Sequence, residues 1–122
     1  MNLCIIGATS LMLAAPNFTL EWTHSIQKTR WIETWDVTEA GLKLREAAIE
    51  STGAGMEMPE EAKYDGRFWR WTPKLPTLPE LALARSDAVP EGWQVCTKGH
   101  CQNIGDKTEK ADIVRLKACK SL

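Results

Sequence analysis

Little in this sequence is abundant enough to name a chemistry by itself. Charge of one sign is missing: Lys and Arg number 15 and Asp and Glu 16, a net charge of -1 over 122 residues. No basic stripe runs along the chain, so nucleic acid lacks its electrostatic footprint and is not an expected partner. Long hydrophobic runs are also missing. The most apolar stretch, Leu3 to Pro16, is too short to span a bilayer as a helix. The one glycine-rich loop, Ser51 to Met56, has neither the third glycine of a dinucleotide fingerprint nor the Gly-Lys-Ser/Thr ending of a P-loop. It reads as a tight turn in which glycine supplies positive φ. There is no internal repeat, no low-complexity tract and no segment with a consistent helical stripe.

What is present is alternation. In Phe18 to Val37, residues Phe18, Leu20, Trp22, His24 and Ile26 share one parity, and Thr19, Glu21, Thr23 and Ser25 the other. A period of two marks a half-buried strand. After a break at Gln27 to Thr29, Trp31, Glu33, Trp35 and Val37 alternate against Arg30, Ile32, Thr34 and Asp36, so the stretch reads as a β-hairpin. Leu3 to Ala15 divides at Gly7 and Ala8 into two β-like pieces, read as the first strands of the domain; a cleaved signal is the rival, although no positive n-region precedes it. Thr38 to Glu50 has helical composition, yet Gly41 and the Leu42/Leu44 alternation favour a turn and then a strand, with a bulge needed before Ala47 and Ile49. Further short strands are expected at Arg67 to Trp71, Leu81 to Ser86, Trp93 to Cys96 and Asp112 to Cys119. Pro73, Pro76 and Pro79 hold their segment extended and outside any sheet centre. Gln102 to Lys110 reads as a polar mobile segment. The expected fold is all-β: one domain over residues 1–122, an antiparallel sandwich or small barrel built from short hairpins.

Four cysteines allow two disulfides. Cys96 and Cys101 flank the four-residue segment Thr97 to His100, so they can face each other across a hairpin loop. Cys4 and Cys119 lie near opposite ends of the chain, where terminal strands often pair. If both bonds form, the compartment is oxidising. A zinc site from Cys96, His100 and Cys101 is the alternative, but three donors within six residues crowd one metal, and no metal or cofactor is expected.

For catalysis, His24 and Ser25 are neighbours on a strand and point to opposite faces, so they cannot act on each other. A serine nucleophile would need His100 brought to it by the fold. A small hydrolase or isomerase would use His24 with Glu33, Asp36 or Glu57. For binding, Lys28, Arg30 and Arg70 lie among Trp22, Trp31, Trp35, Trp69 and Trp71. Tryptophan faces beside cations can hold a carboxylate or planar ligand, or simply pack on one another. The candidate ligand-binding set is therefore Trp22, His24, Lys28, Arg30, Trp31, Trp35, Trp69 and Trp71.

Phe18 to Val37, the loop Ser51 to Glu57, Trp69 to Ser86 and the Cys96/Cys101 hairpin together resemble a family of small bacterial domains of unknown function associated with TAXI-class TRAP transporters. The likeness runs from about Leu3 to Cys101. It implies a domain with no established reaction, acting outside the cytoplasmic membrane, in the periplasm, beside a tripartite solute importer, and a non-enzymatic role is the reading preferred. A transporter component or a small anionic solute is then the implied partner, and no catalytic residue carries over.

Overall fold

The computed structural model describes residues 1–23, 28–50, 58–86 and 89–120. Eleven strands and no helix occur among them: β1 (Asn2–Ile6), β2 (Ser10–Leu13), β3 (Asn17–Thr23), β4 (Arg30–Thr38), β5 (Gly41–Glu50), β6 (Lys63–Tyr64), β7 (Phe68–Trp71), β8 (Glu80–Ala84), β9 (Trp93–Thr97), β10 (His100–Ile104) and β11 (Ile113–Cys119). They form two antiparallel sheets, one ordered β2-β1-β11-β8 and the other β10-β9-β3-β4-β5-β7-β6. Each sheet keeps two edges, so of the two expected architectures the sandwich is the one adopted.

Alternation explains which faces meet. Leu3 and Ile5 of β1 and Val114 and Leu116 of β11 turn inward from the small sheet. Phe18 and Leu20 of β3, Trp35 and Val37 of β4, and Leu42 and Leu44 of β5 turn inward from the large one. Trp35 is only 2% exposed, the largest side chain at the centre of this core. Truncating a fully enclosed residue such as Leu116 to alanine costs about 2–5 kcal/mol, because the site cannot collapse onto the space. No buried side-chain nitrogen or oxygen lacks a hydrogen-bond partner among the described residues.

The segment with helical composition is the longest strand, β5. Its register against β4 shifts at Thr34/Trp35, so that Glu46 faces Thr34 while Leu44 faces Trp35. This bulge lets Leu42 and Leu44 share an inner face with Ala47 and Ile49 despite the change in parity. The proline-rich stretch carries the chain from one sheet to the other. It is anchored where Leu42 and Leu78 each donate a backbone N–H to the other's carbonyl, at 2.7 and 2.8 Å.

Two expectations need correction at the β9–β10 hairpin. Thr97 pairs with His100, so the strands run through the supposed four-residue loop. Only Lys98 and Gly99 remain as the turn, at φ 49° and 83°. Positive φ at both central residues suits the right-handed twist of a tight hairpin. Gln102 to Ile104 likewise belong to β10, because each faces a β9 residue with donors and acceptors to match. The rest of that polar segment is organised by carboxylates. Asp106 accepts from Thr108, and Glu109 accepts the backbone N–H groups of Ala8 and Ala111.

Candidate functional site

The β3–β4 hairpin is built as two chemically different faces. On its inner side Phe18 faces Trp35, Leu20 faces Glu33 and Trp22 faces Trp31. The first two pairs run into the core. The third lies at the open end of the hairpin, where the Trp22 and Trp31 rings stack at 5.7 Å and 6° between planes. The Glu33 carboxylate accepts the Trp35 indole N–H at 3.2 Å. Burial pushes its pKa up from the usual carboxylate value, and the indole donor offsets part of that rise. On the outer side Glu21 accepts from the Thr19 hydroxyl at 3.1 Å and from Arg30 Nη2 at 2.6 Å. The carboxylate is fixed and half-buried.

At this open end the hairpin meets the β9–β10 edge and an open cleft of about 820 Å³ forms. Glu21, Trp22 and Thr23 of β3 make one wall, with Lys28 and Arg30 at the rim. Pro90, Glu91 and Gly92 precede β9, Gln94 and Asn103 project from β9 and β10, and Asp106 with Lys107 closes the far side. Register explains the meeting: Glu21 pairs with Gln94, and Gln94 with Asn103, so three strands present polar side chains in one row. Gly92 holds the far wall in place. At φ 70° it lies so close to the chain after β10 that a Cβ would come within 2.2 Å of the Ile104 carbonyl oxygen.

The charges in the cleft are not equivalent. Arg30 is committed to Glu21. Asp106 accepts from the Thr108 hydroxyl at 2.6 Å and its backbone N–H at 2.9 Å, and these donors hold its pKa below the usual value. The Lys28 and Lys107 ammonium groups make no ion pair among the described residues. They line the cleft together with Trp22 and with the Glu91 and Asp106 carboxylates, and Lys107 interacts electrostatically with Asp106.

Of the residues singled out in the sequence, the structure therefore brings Trp22, Lys28 and Arg30 to one cleft, with Trp31 behind Trp22. Trp35 does not reach it; it is core. Trp69 and Trp71 stand half-buried on β7, three strands from β3, where Trp69 packs on Tyr64 at 5.1 Å. Arg70 is occupied there, with Nε 2.6 Å from Asp65 and Nη1 2.7 Å from Glu46. The Phe68 backbone N–H, then Arg70 and the Arg67 backbone N–H, pull the Asp65 pKa down to about 2. His24, Ser25, Glu57 and the glycine loop lie outside the described residues. Of the other carboxylates weighed for acid–base work, Asp36 pairs with Arg45 Nε at 3.3 Å and Glu33 holds the Trp35 indole.

All four cysteines are disulfide-bonded, Cys4 to Cys119 and Cys96 to Cys101. The Cys96, His100, Cys101 zinc alternative is thus displaced, since its sulfurs are joined to each other. The half of the cleft contributed by Pro90 to Gln94 and Asn103 to Lys107 went unnoticed in the sequence. Its only local signs are the Pro-Glu-Gly and Asp-Lys-Thr turns.

Two facing antiparallel sheets and two disulfides, with an open cleft at one end of the β3–β4 hairpin, define a small disulfide-stapled β-sandwich. A family model described as a domain of unknown function, DUF1850, matches residues 18–104, and the chain belongs to that family. Apart from Asn17 at the start of β3, the match takes in the seven-stranded sheet, but only β8 of the smaller one. Neither a curated protein nor a solved structure matches the chain.

Proposed function

We propose that the protein is a non-enzymatic accessory domain of tripartite TRAP/TAXI-type solute import, acting outside the cytoplasmic membrane and recognising a small anionic solute at the open end of the β3–β4 hairpin. One observation carries the reading: Trp22, Lys28 and Arg30 line the same cleft as Lys107, which follows the edge strand β10, two strands from β3. Two ammonium groups without ion pairs among the described residues supply charge complementarity. The indole supplies an apolar wall, and Gln94 and Asn103 supply amide donors, the mixture that small-molecule sites use to fix orientation. The extracytoplasmic setting is supported by the two disulfides. No described helix is long and apolar enough to cross a membrane. The transporter setting rests on the family resemblance of Phe18 to Val37 and the segments after it.

Tryptophan fluorescence tests the reading, because Trp22 borders the cleft. Titration with succinate as the probe dicarboxylate should change the emission saturably. The response should weaken in Lys28→Ala and Lys107→Ala and fall with added salt as surface charges are screened. An unchanged spectrum up to millimolar succinate, or a response that both variants retain in full, refutes the solute reading.

A further inference from the structure

We propose that reduction of the Cys96–Cys101 disulfide opens a second site, one for a thiophilic divalent cation such as Zn²⁺, held by the two thiolates and the Glu21 carboxylate. Cys96 and Cys101 are directly opposed on β9 and β10, and β3 lies on the other side of β9 with Thr19 facing Cys96. Glu21 is two residues along from Thr19, hence on the same face of the sheet. The two sulfurs and a Glu21 oxygen all lie within 4.8 Å of one another. Tetrahedral zinc, with Zn–S near 2.3 Å and Zn–O near 2.0–2.2 Å, needs ligand atoms about 3.5–3.8 Å apart, so the two sulfurs, bonded to each other in the oxidised chain, must move apart on reduction while the Glu21 oxygen already lies within reach.

Three further features favour the site. Cys101 is exposed, so an external thiol can reach its sulfur. The disulfide spans only five residues, and the Lys98-Gly99 turn already fixes the hairpin's register, so β9 and β10 can stay paired when the bond is reduced. Glu21 is oriented before any cation arrives, by the Thr19 hydroxyl on one oxygen and Arg30 on the other. Such outer partners fix a metal-ligating carboxylate. Water completes the tetrahedron. His100 follows the opposite parity from Cys101 along β10 and is not among the donors.

The chemistry balances with a dithiol reductant. Its thiolate attacks the Cys101 sulfur, the S–S bond breaks and the electron pair leaves on Cys96. The second reductant thiol then resolves the mixed disulfide, so the dithiol is oxidised and Cys96 and Cys101 are reduced. Binding the cation releases the two thiol protons.

The test uses the full chain, reduced under native conditions with dithiothreitol, freed of reductant and titrated with Zn²⁺ against a chromophoric chelator. The expected result is two new thiols, one Zn²⁺ per reduced chain and none per oxidised chain. Glu21→Gln should weaken binding by about tenfold or more, Glu21→Asp should retain most of it, and the Cys96→Ser/Cys101→Ser pair should abolish it. Failure of native reduction to release thiols overturns the proposal. So does a reduced chain that takes up no Zn²⁺, Glu21→Gln binding as tightly as the parent, or uptake that survives the double serine variant.

Discussion

Removing the two disulfides one at a time should have very different consequences. Cys4 and Cys119 are 115 residues apart, and Cys96 and Cys101 only five. Each bond limits the conformations open to the unfolded chain, and the chain-entropy relation gives about 4.8 kcal/mol for the long closure against about 2 kcal/mol for the short one. Packing widens the gap. Cys4 is 1% exposed and Cys119 8%, so Cys4→Ala/Cys119→Ala also leaves unfilled space, whereas Cys101 lies at the surface. An unfolding entropy near 2.1 cal/mol/K per residue converts each kcal/mol into about 4 °C for a chain of 122 residues. Cys4→Ala/Cys119→Ala should therefore melt about 10 °C or more below Cys96→Ala/Cys101→Ala. Guanidinium unfolding with extrapolation to water, combined with calorimetric melts, measures both. Equal losses, or a larger loss at Cys96/Cys101, would refute the reasoning.

Glu33→Gln should stabilise the fold at neutral pH. Burial raises the folded-state pKa of Glu33, so its contribution is fully present below the unfolded value near 4.5 and is lost as pH rises through the folded value. Glutamine keeps an acceptor for the Trp35 indole without that loss, so the gain should shrink toward zero below about pH 4.5 in stability-versus-pH curves. Asp65 has the opposite sign. Its stabilising interactions are present above the unfolded value of 3.8 and vanish as pH falls through about 2. Carboxyl NMR should show a midpoint of about 2, rising only part of the way in Arg70→Ala because the Phe68 N–H is the largest cause. Gly92→Ala should lower stability by more than about 1 kcal/mol. It needs both a left-handed backbone and relief of the Ile104 contact; a melt unchanged from the parent would contradict that placement of the far wall.

Strand identity was legible because it is local. The parity of Phe18, Leu20 and Trp22, and of Trp31, Glu33 and Trp35, is written in adjacent residues and survives into the register of β3 and β4. The bulge in β5 was legible for the same reason: Leu44 and Ala47 cannot share a face without it. Burial within a face was not legible. Trp22 and Trp35 are the same residue type on the same face of the hairpin. Only the position of the small sheet decides that Trp35 is core while Trp22 borders a cleft, and that sheet joins β1 to β11, nearly the whole chain apart. The far wall was hidden likewise. Nothing near Gly92 or Lys107 in sequence announces that the pairing of β9 with β3 will carry them to Lys28. Arg70 shows the converse, a cation next to tryptophans in sequence whose fold-given neighbours are Asp65 and Glu46.

Succinate titration of the ¹⁵N-labelled chain would test anion recognition at the hairpin's open end most directly, because it locates the binding as well as detecting it. The predicted result is saturable shifts confined to the Trp22 indole, Lys28 to Arg30, Glu91 to Gln94 and Asn103 to Lys107. Shifts centred on Trp69 and Trp71 of β7, or none at millimolar succinate, would contradict it.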